Sequence, residues 1–244
     1  MSNTVPPRRI FPTSKVDARA AEHVPATPQT ESRAYRLAFQ DTDFLLREDL
    51  RPVRFQLELL KPELLLEEAK IGSTFVFYGS ARIPAPEMAD ALVASATTDE
   101  ERAVAERLRA KSIYYDAARQ LARLASRTPM DESGFRHFVV CSGGGPSIME
   151  AANRGAVDEG QETIALNIVL PHEQLPNPYV TPDLSFQFHY FALRKMHFLL
   201  RARAVAVFPG GFGTFDEMFE LLTLIQTGKV RPLPILLFGR DFWS

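Results

Sequence analysis

The sequence has little cysteine, little net charge and no long apolar run, and each shortage removes a class of protein. A single cysteine, Cys141, excludes an internal disulfide framework and a thiolate-rich zinc site; it suits a reducing compartment, the cytoplasm by expectation. Subtracting 30 Asp and Glu from 28 Lys and Arg leaves a net charge of -2, which exerts no general pull toward nucleic acid or an anionic membrane. No stretch approaches the roughly 18 to 20 apolar residues of a membrane-spanning helix, and no charged head with an apolar signal core opens the chain. No segment repeats with a period of about 20 to 50 residues. What is present, 45% apolar and 24% charged side chains in 244 residues, fits one large globular domain or two ordinary ones.

Three regions follow from the pattern. Residues 1–42 carry Pro6, Pro7, Pro12, Pro25 and Pro28 without apolar periodicity and read as a mobile arm. Asp17, Glu22 and Glu31 interrupt its arginines and argue against an organelle transit peptide. Over 43–72 the leucines of DFLLREDL and FQLELLKPELLLEEAK recur at helical spacing, with breaks expected at Pro52 and Pro62. From Ser73 to Ser244 strands and helices alternate. The strands are expected within Thr74–Pro84, at His137–Cys141, Thr163–Val169, Phe186–Tyr190, Ala204–Phe208 and Leu233–Phe238. The helices are one long element from about Thr98 to Ser126, then Pro146–Asp158, Phe191–Ala202 and Phe215–Gln226. That alternation predicts an α/β, Rossmann-like, doubly wound parallel sheet with helices on both faces. A covering helix is missing after the last strand, so the domain reads as cut short at its C-terminus.

In such a sheet, ligands bind beyond the carboxyl ends of the strands. The loops there are GSAR (Gly79–Arg82), SGGGPS (Ser142–Ser147) and PGGFGT (Pro209–Thr214). Glycines let backbone N–H groups turn inward, and a following helix adds its positive end, which together suit a phosphate. Tight turns and close helix packing are the simpler explanation for any one of them. A P-loop is excluded because Gly228-Lys229 is followed by Val230, and the dinucleotide fingerprint because Ile148 stands where its third glycine belongs. A mononucleotide or sugar phosphate is the better fit, with no cofactor and no metal: no His, Cys and carboxylate cluster has zinc spacing.

Thr214 and Glu217 have the spacing of a capping box, which would spend the carboxylate on its own helix start. Glu217 also lies at the shoulder of the apolar stripe Met218, Leu221, Leu222 and Ile225, where it could meet a ligand's sugar. Both readings stand on spacing alone. Arg194, His197 and Arg201 share one stripe of the preceding helix, beside the apolar Leu193, Met196 and Leu200. That stripe is either a solvated face or a wall of the crevice, where the planar fork of Arg194 would bind or polarise a ligand. His197 and His189 read as packed residues.

Arg194-Lys195 together with PGGFGTFDE resembles the signature of the cytokinin-activating LOG ("Lonely guy") phosphoribohydrolase family, and YGSARIP and SGGGPSIMEAANRGA resemble its first two glycine loops. The likeness runs from about Ser73 to the end, and the long arm is similar to that of the larger bacterial members. The resemblance implies a Rossmann-like homodimer or larger homo-oligomer. The implied reaction splits a purine or cytokinin-type nucleoside 5′-monophosphate into free base and ribose 5-phosphate. It implies catalytic roles for Arg194 and Glu217 and a phosphate-binding turn at Gly210, Gly211, Gly213 and Thr214. Gly79, Ser80, Gly143, Gly144, Gly145, Met149, Lys195 and Pro209 complete the expected substrate contacts. The chain departs from the pattern at Phe191 and Ala192, where short members carry Met-His, and at Glu150, where they carry glycine. The family's older label, lysine decarboxylase, finds no pyridoxal-binding context around any lysine. A non-catalytic nucleotide or molybdenum-cofactor carrier is the rival reading, since the same glycine turns would hold a ligand without breaking a bond.

Overall fold

The computed structural model describes residues 11–171 and 175–244. Pro6 and Pro7 of the expected arm lie outside the described residues. The chain divides into two compact units, Met1–Leu57 and Glu58–Ser244, a division that falls inside the helical extension expected over 43–72. In the first unit α1 (Ser14–Ala21) forms within the stretch expected to lack regular structure, yet buries none of its residues. A second short helix, α2 (Thr42–Leu45), is capped by Asp41, whose carboxylate accepts the Phe44 N–H.

One expectation fails at the next helix. Pro52 and Pro62 do not break α3, which runs from Arg51 to Glu68. Pro52 falls in the first turn, where a missing N–H is harmless. Pro62 lies inside the helix and buried, and its ring leaves the carbonyl of Glu58 without the usual donor.

Among its described residues the second unit holds six parallel strands, β1 (Thr74–Tyr78), β2 (Val139–Ser142), β3 (Ile164–Ile168), β4 (Ser185–Phe188), β5 (Ala202–Val207) and β6 (Ile235–Leu237), in the order β4-β3-β2-β1-β5-β6. The central strands β1 and β2 are buried on both faces, which is why they read as continuous apolar runs, whereas the edge strands β4 and β6 are partly exposed. In β1, Phe75 and Phe77 pack on one face with Val140, Ala206 and Phe208. Val76 and Tyr78 pack on the other with Cys141, Leu166 and Val207. Two of the helices anticipated as one long element are separate: α4 (Pro86–Ser95) is new, and α5 (Asp99–Lys111) ends at Ser112 before α6 (Ile113–Ser126). The Ser112 hydroxyl and its backbone N–H both donate to the Arg109 carbonyl, three residues back, and so interrupt the helical ladder.

Alpha helix α6 and α7 (Ile148–Asp158) cover the Phe75 face. They pack so closely that a Cβ on Gly155 would lie 2.3 Å from the Arg119 carbonyl oxygen. Leu66 of α3, Phe198 of α8 (Phe191–Leu200) and Met218 and Leu221 of α9 (Phe212–Gln226) cover the opposite face. A last turn, α10 (Arg240–Trp243), follows β6. Among the described residues no helix is long and apolar enough to cross a membrane.

The chain adds β2, β3 and β4 outward on one side of β1, then returns to place β5 on the other side. Strand order therefore reverses between β1 and β5, and a crevice opens beyond their carboxyl ends.

Candidate active site

A cleft of about 780 Å³ occupies that crevice. The loop after β1 contributes Gly79, Ser80 and Arg82, and the turn after β5 contributes Pro209, Gly210, Gly211, Gly213 and Thr214. The loop after β2 enters only through Gly143, with Met149 from α7, and Arg194 and Glu217 line the cleft as well. Three expected contacts lie elsewhere. Gly144 and Gly145 are turned away, their carbonyls accepting from the side-chain amide of Asn177 at 3.1 and 3.0 Å. Lys195 is directed away from the cleft to Asp216 and Glu220, at 2.9 and 2.8 Å, and ties α8 to α9. Burial lowers its affinity for a proton, but the two carboxylates more than offset this and leave its pKa raised.

The helix start carries a second correction. Thr214 is not the N-cap of α9; that position is Gly211, and no side chain caps the helix. Thr214 lies one turn in, buried, with its hydroxyl against Gly210: a Cβ there would come within 2.2 Å of Oγ1. Gly211 and Gly213 are different. Nothing lies within 4 Å of a Cβ added to either, so close packing requires neither to be glycine. The start of α9, with its share of the helix dipole, lines the cleft through Gly211, Gly213 and Thr214 and suits an anion.

Glu217 is therefore free of its own helix start. Its Oε1 accepts from Arg194 Nη1 at 2.9 Å, with only 15% and 10% of the two side chains exposed. Arg194 is held on three sides. Its Nε donates to the Leu166 carbonyl at 2.6 Å, its guanidinium lies 4.9 Å over the Phe198 ring, and Nη2 faces Gly143, where a Cβ would sit 2.7 Å away. Here the polar stripe of α8 turns inward: Arg194 and His197 are buried, while Met196 and Leu200 of the apolar stripe are exposed. Burial raises the pKa of the Glu217 carboxyl above its ordinary value, and the nearby Arg194 only partly opposes this. A buried carboxylate paired to a fixed guanidinium, in the second turn of a helix whose uncapped start lines the same cleft, can face a cationic transition state while the helix start holds an anion.

Sequence reasoning missed several lining residues. Arg82 and Lys111 bring positive charge, while Leu108, Leu170 and Phe242 bring apolar surface from separate elements. It also missed Asn177, whose signal is only a lone asparagine in a proline-rich loop.

Comparisons with known proteins find relatives over part of the chain. The family model described as "Possible lysine decarboxylase" matches residues 149–244. The pyrimidine/purine nucleotide 5′-monophosphate nucleosidase of Escherichia coli K12 is 30% identical over 131 residues, 48% of this chain and 27% of that protein. Cytokinin riboside 5′-monophosphate phosphoribohydrolase LOG2 of Arabidopsis thaliana is 26% identical over 129 residues, 52% of this chain and 56% of that protein. The chain thus spans about a quarter to a half of the curated relatives it matches. The X-ray structure of TM1055 aligns at 21% identity and a TM-score of 0.38 over 62% of this chain and 69% of that one, too distant to bear on the fold. Over about half of its length or less, the chain is thus similar to the family described as possible lysine decarboxylases and to proteins named as a nucleotide 5′-monophosphate nucleosidase and a cytokinin riboside 5′-monophosphate phosphoribohydrolase.

Proposed function

We propose that this protein hydrolyses the N-glycosidic bond of a nucleoside 5′-monophosphate of the AMP type, releasing free base and ribose 5-phosphate. One observation carries the reading: the buried Arg194–Glu217 pair shares a cleft with an uncapped helix start whose Gly211 and Gly213 have no packing reason to be glycine. The phosphate binds at the start of α9, remote from the bond that breaks, so that binding energy becomes orientation of the ribose. As the bond from C1′ to the base nitrogen lengthens, positive charge grows on C1′ and the ring oxygen, and ionised Glu217 stabilises it. Water adds its oxygen to C1′, and its proton balances the departing base. Arg194 keeps Glu217 ionised against its burial and fixes its orientation. Gly79, Ser80, Gly143, Met149, Pro209, Gly210 and Thr214 complete the substrate contacts in this reading.

The exposed Phe191, Met196 and Leu200 of α8 and Phe219 and Leu222 of α9 are offered to a second copy. Light scattering that shows only monomer removes that part of the reading.

The test is incubation of the purified chain with AMP and other 5′-monophosphates, followed by chromatography for free base. The wild type releases base, and Glu217→Gln lowers turnover by at least about 10²-fold while the fold survives. Tight retention of intact nucleotide with no base released would establish a carrier, and wild-type turnover in the variant would remove Glu217 from the mechanism.

A further inference from the structure

Helix α3 lies outside the region that resembles the LOG family and contributes nothing to the cleft. Yet its residues from Glu58 onward clamp the helix that carries Arg194. The Glu58 carboxylate accepts the backbone N–H of His189 through Oε1 at 2.8 Å and that of Tyr190, the N-cap of α8, through Oε2 at 3.2 Å. The Tyr190 carbonyl in turn accepts the backbone N–H of Arg194. The same residue then acts a second time. Its main-chain carbonyl, left without a helical donor because Pro62 has no N–H, accepts from His197 Nε2 at 3.1 Å. Further along, Glu63 and Glu67 hold Arg201 at 3.2 and 3.4 Å, just past the end of α8.

Arg194 is thus bracketed, four residues before by Tyr190 and three residues after by His197, and both brackets end on Glu58. His197 is fully enclosed and packs 5.3 Å from the Phe188 ring. Its Nε2 must carry the proton to donate to a carbonyl. Burial lowers its pKa and favours that neutral ring. The proline expected to break the helix therefore creates an acceptor aimed at the helix of the guanidinium.

We propose that Glu58 is a positioning residue for the reaction: from α3 it sets the start and the middle of α8, and so places the Arg194 fork against Glu217. This rests on the hydrolase reading above. Glu58 touches neither the turn after β5 nor the start of α9, so its loss falls on the chemical step rather than on substrate retention.

The experiment measures AMP hydrolysis by the full chain, below each variant's melting transition. In Glu58→Ala kcat falls roughly 10- to 100-fold, because a displacement of about 1 Å near a reacting centre has effects of that order. KM stays within about three-fold, the signature of an interaction that acts in the transition state. Glu58→Gln keeps one acceptor oxygen for the two N–H groups and lies between Ala and wild type. An unchanged kcat in Glu58→Ala, or a raised KM at constant kcat, overturns the proposal. If the alanine variant does not fold, Glu58→Gln decides alone: reduced kcat at constant KM supports positioning, and wild-type kcat overturns it. A wild type inert toward every nucleotide sinks the hydrolase reading and this proposal with it, whereas an active wild type with an indifferent Glu58 sinks only the latter.

Discussion

Gly143→Ala tests whether the arginine fork must sit where the structure holds it. The added Cβ would lie 2.7 Å from Arg194 Nη2 and 2.9 Å from Met149 Sδ. Ordinary contact begins near 3.4 Å, so the guanidinium must retreat by about 0.7 Å, the difference between 3.4 and 2.7 Å. An arginine tip in solvent would yield cheaply. This one cannot, because Nε is held by the Leu166 carbonyl, Nη1 by Glu217, and one face by Phe198. Retreat therefore strains a charged hydrogen bond of a kind worth about 1.5–3 kcal/mol. Overpacking of this sort typically destabilises by about 1–3 kcal/mol, which lowers Tm by roughly 2–12 °C in a chain of this size. Turnover of AMP should fall by about 10- to 100-fold.

A Cβ in the cleft could also obstruct substrate, and the pH profile separates the two causes. Loosening Arg194 removes what opposes the burial of Glu217, so the carboxyl pKa climbs further and the acid limb of kcat/KM moves to higher pH. Obstruction alone leaves the limb in place. Wild-type kcat together with an unmoved acid limb in Gly143→Ala would refute the claim that the glycine is there to seat the arginine.

Two further outcomes follow from the same geometry. Gly211→Ala and Gly213→Ala meet open space, so calorimetry should show unchanged folding with weakened AMP binding; unweakened binding would show that no phosphate approaches the start of α9. In the wild type, the acid limb of kcat/KM should lie above the ordinary glutamate value of 4.5, because activity requires the ionised form of a carboxyl whose pKa is raised. Stability runs the other way. A raised folded-state pKa favours folding below the unfolded value, and this contribution is lost as pH rises through the folded one. A limb at or below 4.5 would remove ionised Glu217 from the reaction.

The strands and their glycine loops were legible because burial, on both faces in the central strands, and tight turns leave local marks: apolar runs, then small residues. Their boundaries shifted by a residue or two, as at Val139–Ser142 against His137–Cys141, without altering the topology. Helix ends and helix faces were less legible. Spacing put the cap of α9 at Thr214, but the chain enters the helix through Gly211, because Thr214 Oγ1 packs on Gly210 instead of facing the N–H groups of its own turn. Periodicity left α8 free to turn its charged stripe outward. It turns inward because acceptors from other elements meet it there: the Leu166 carbonyl, Glu217 and the Glu58 carbonyl. Lys195, adjacent in sequence to Arg194, points away for the same reason, drawn to Asp216 and Glu220.

By itself the sequence determined a parallel α/β sheet, three small-residue loops at its carboxyl edge, and the residue types available for chemistry, since these depend on patterns within a few neighbouring positions. Only the tertiary structure decided which glycine turns line the cleft, that Arg194 and Glu217 form a buried pair, and that Pro62 frees a carbonyl for His197. Each of those depends on groups 20 to 140 positions apart in the chain, and no local pattern records a partner brought in by the fold.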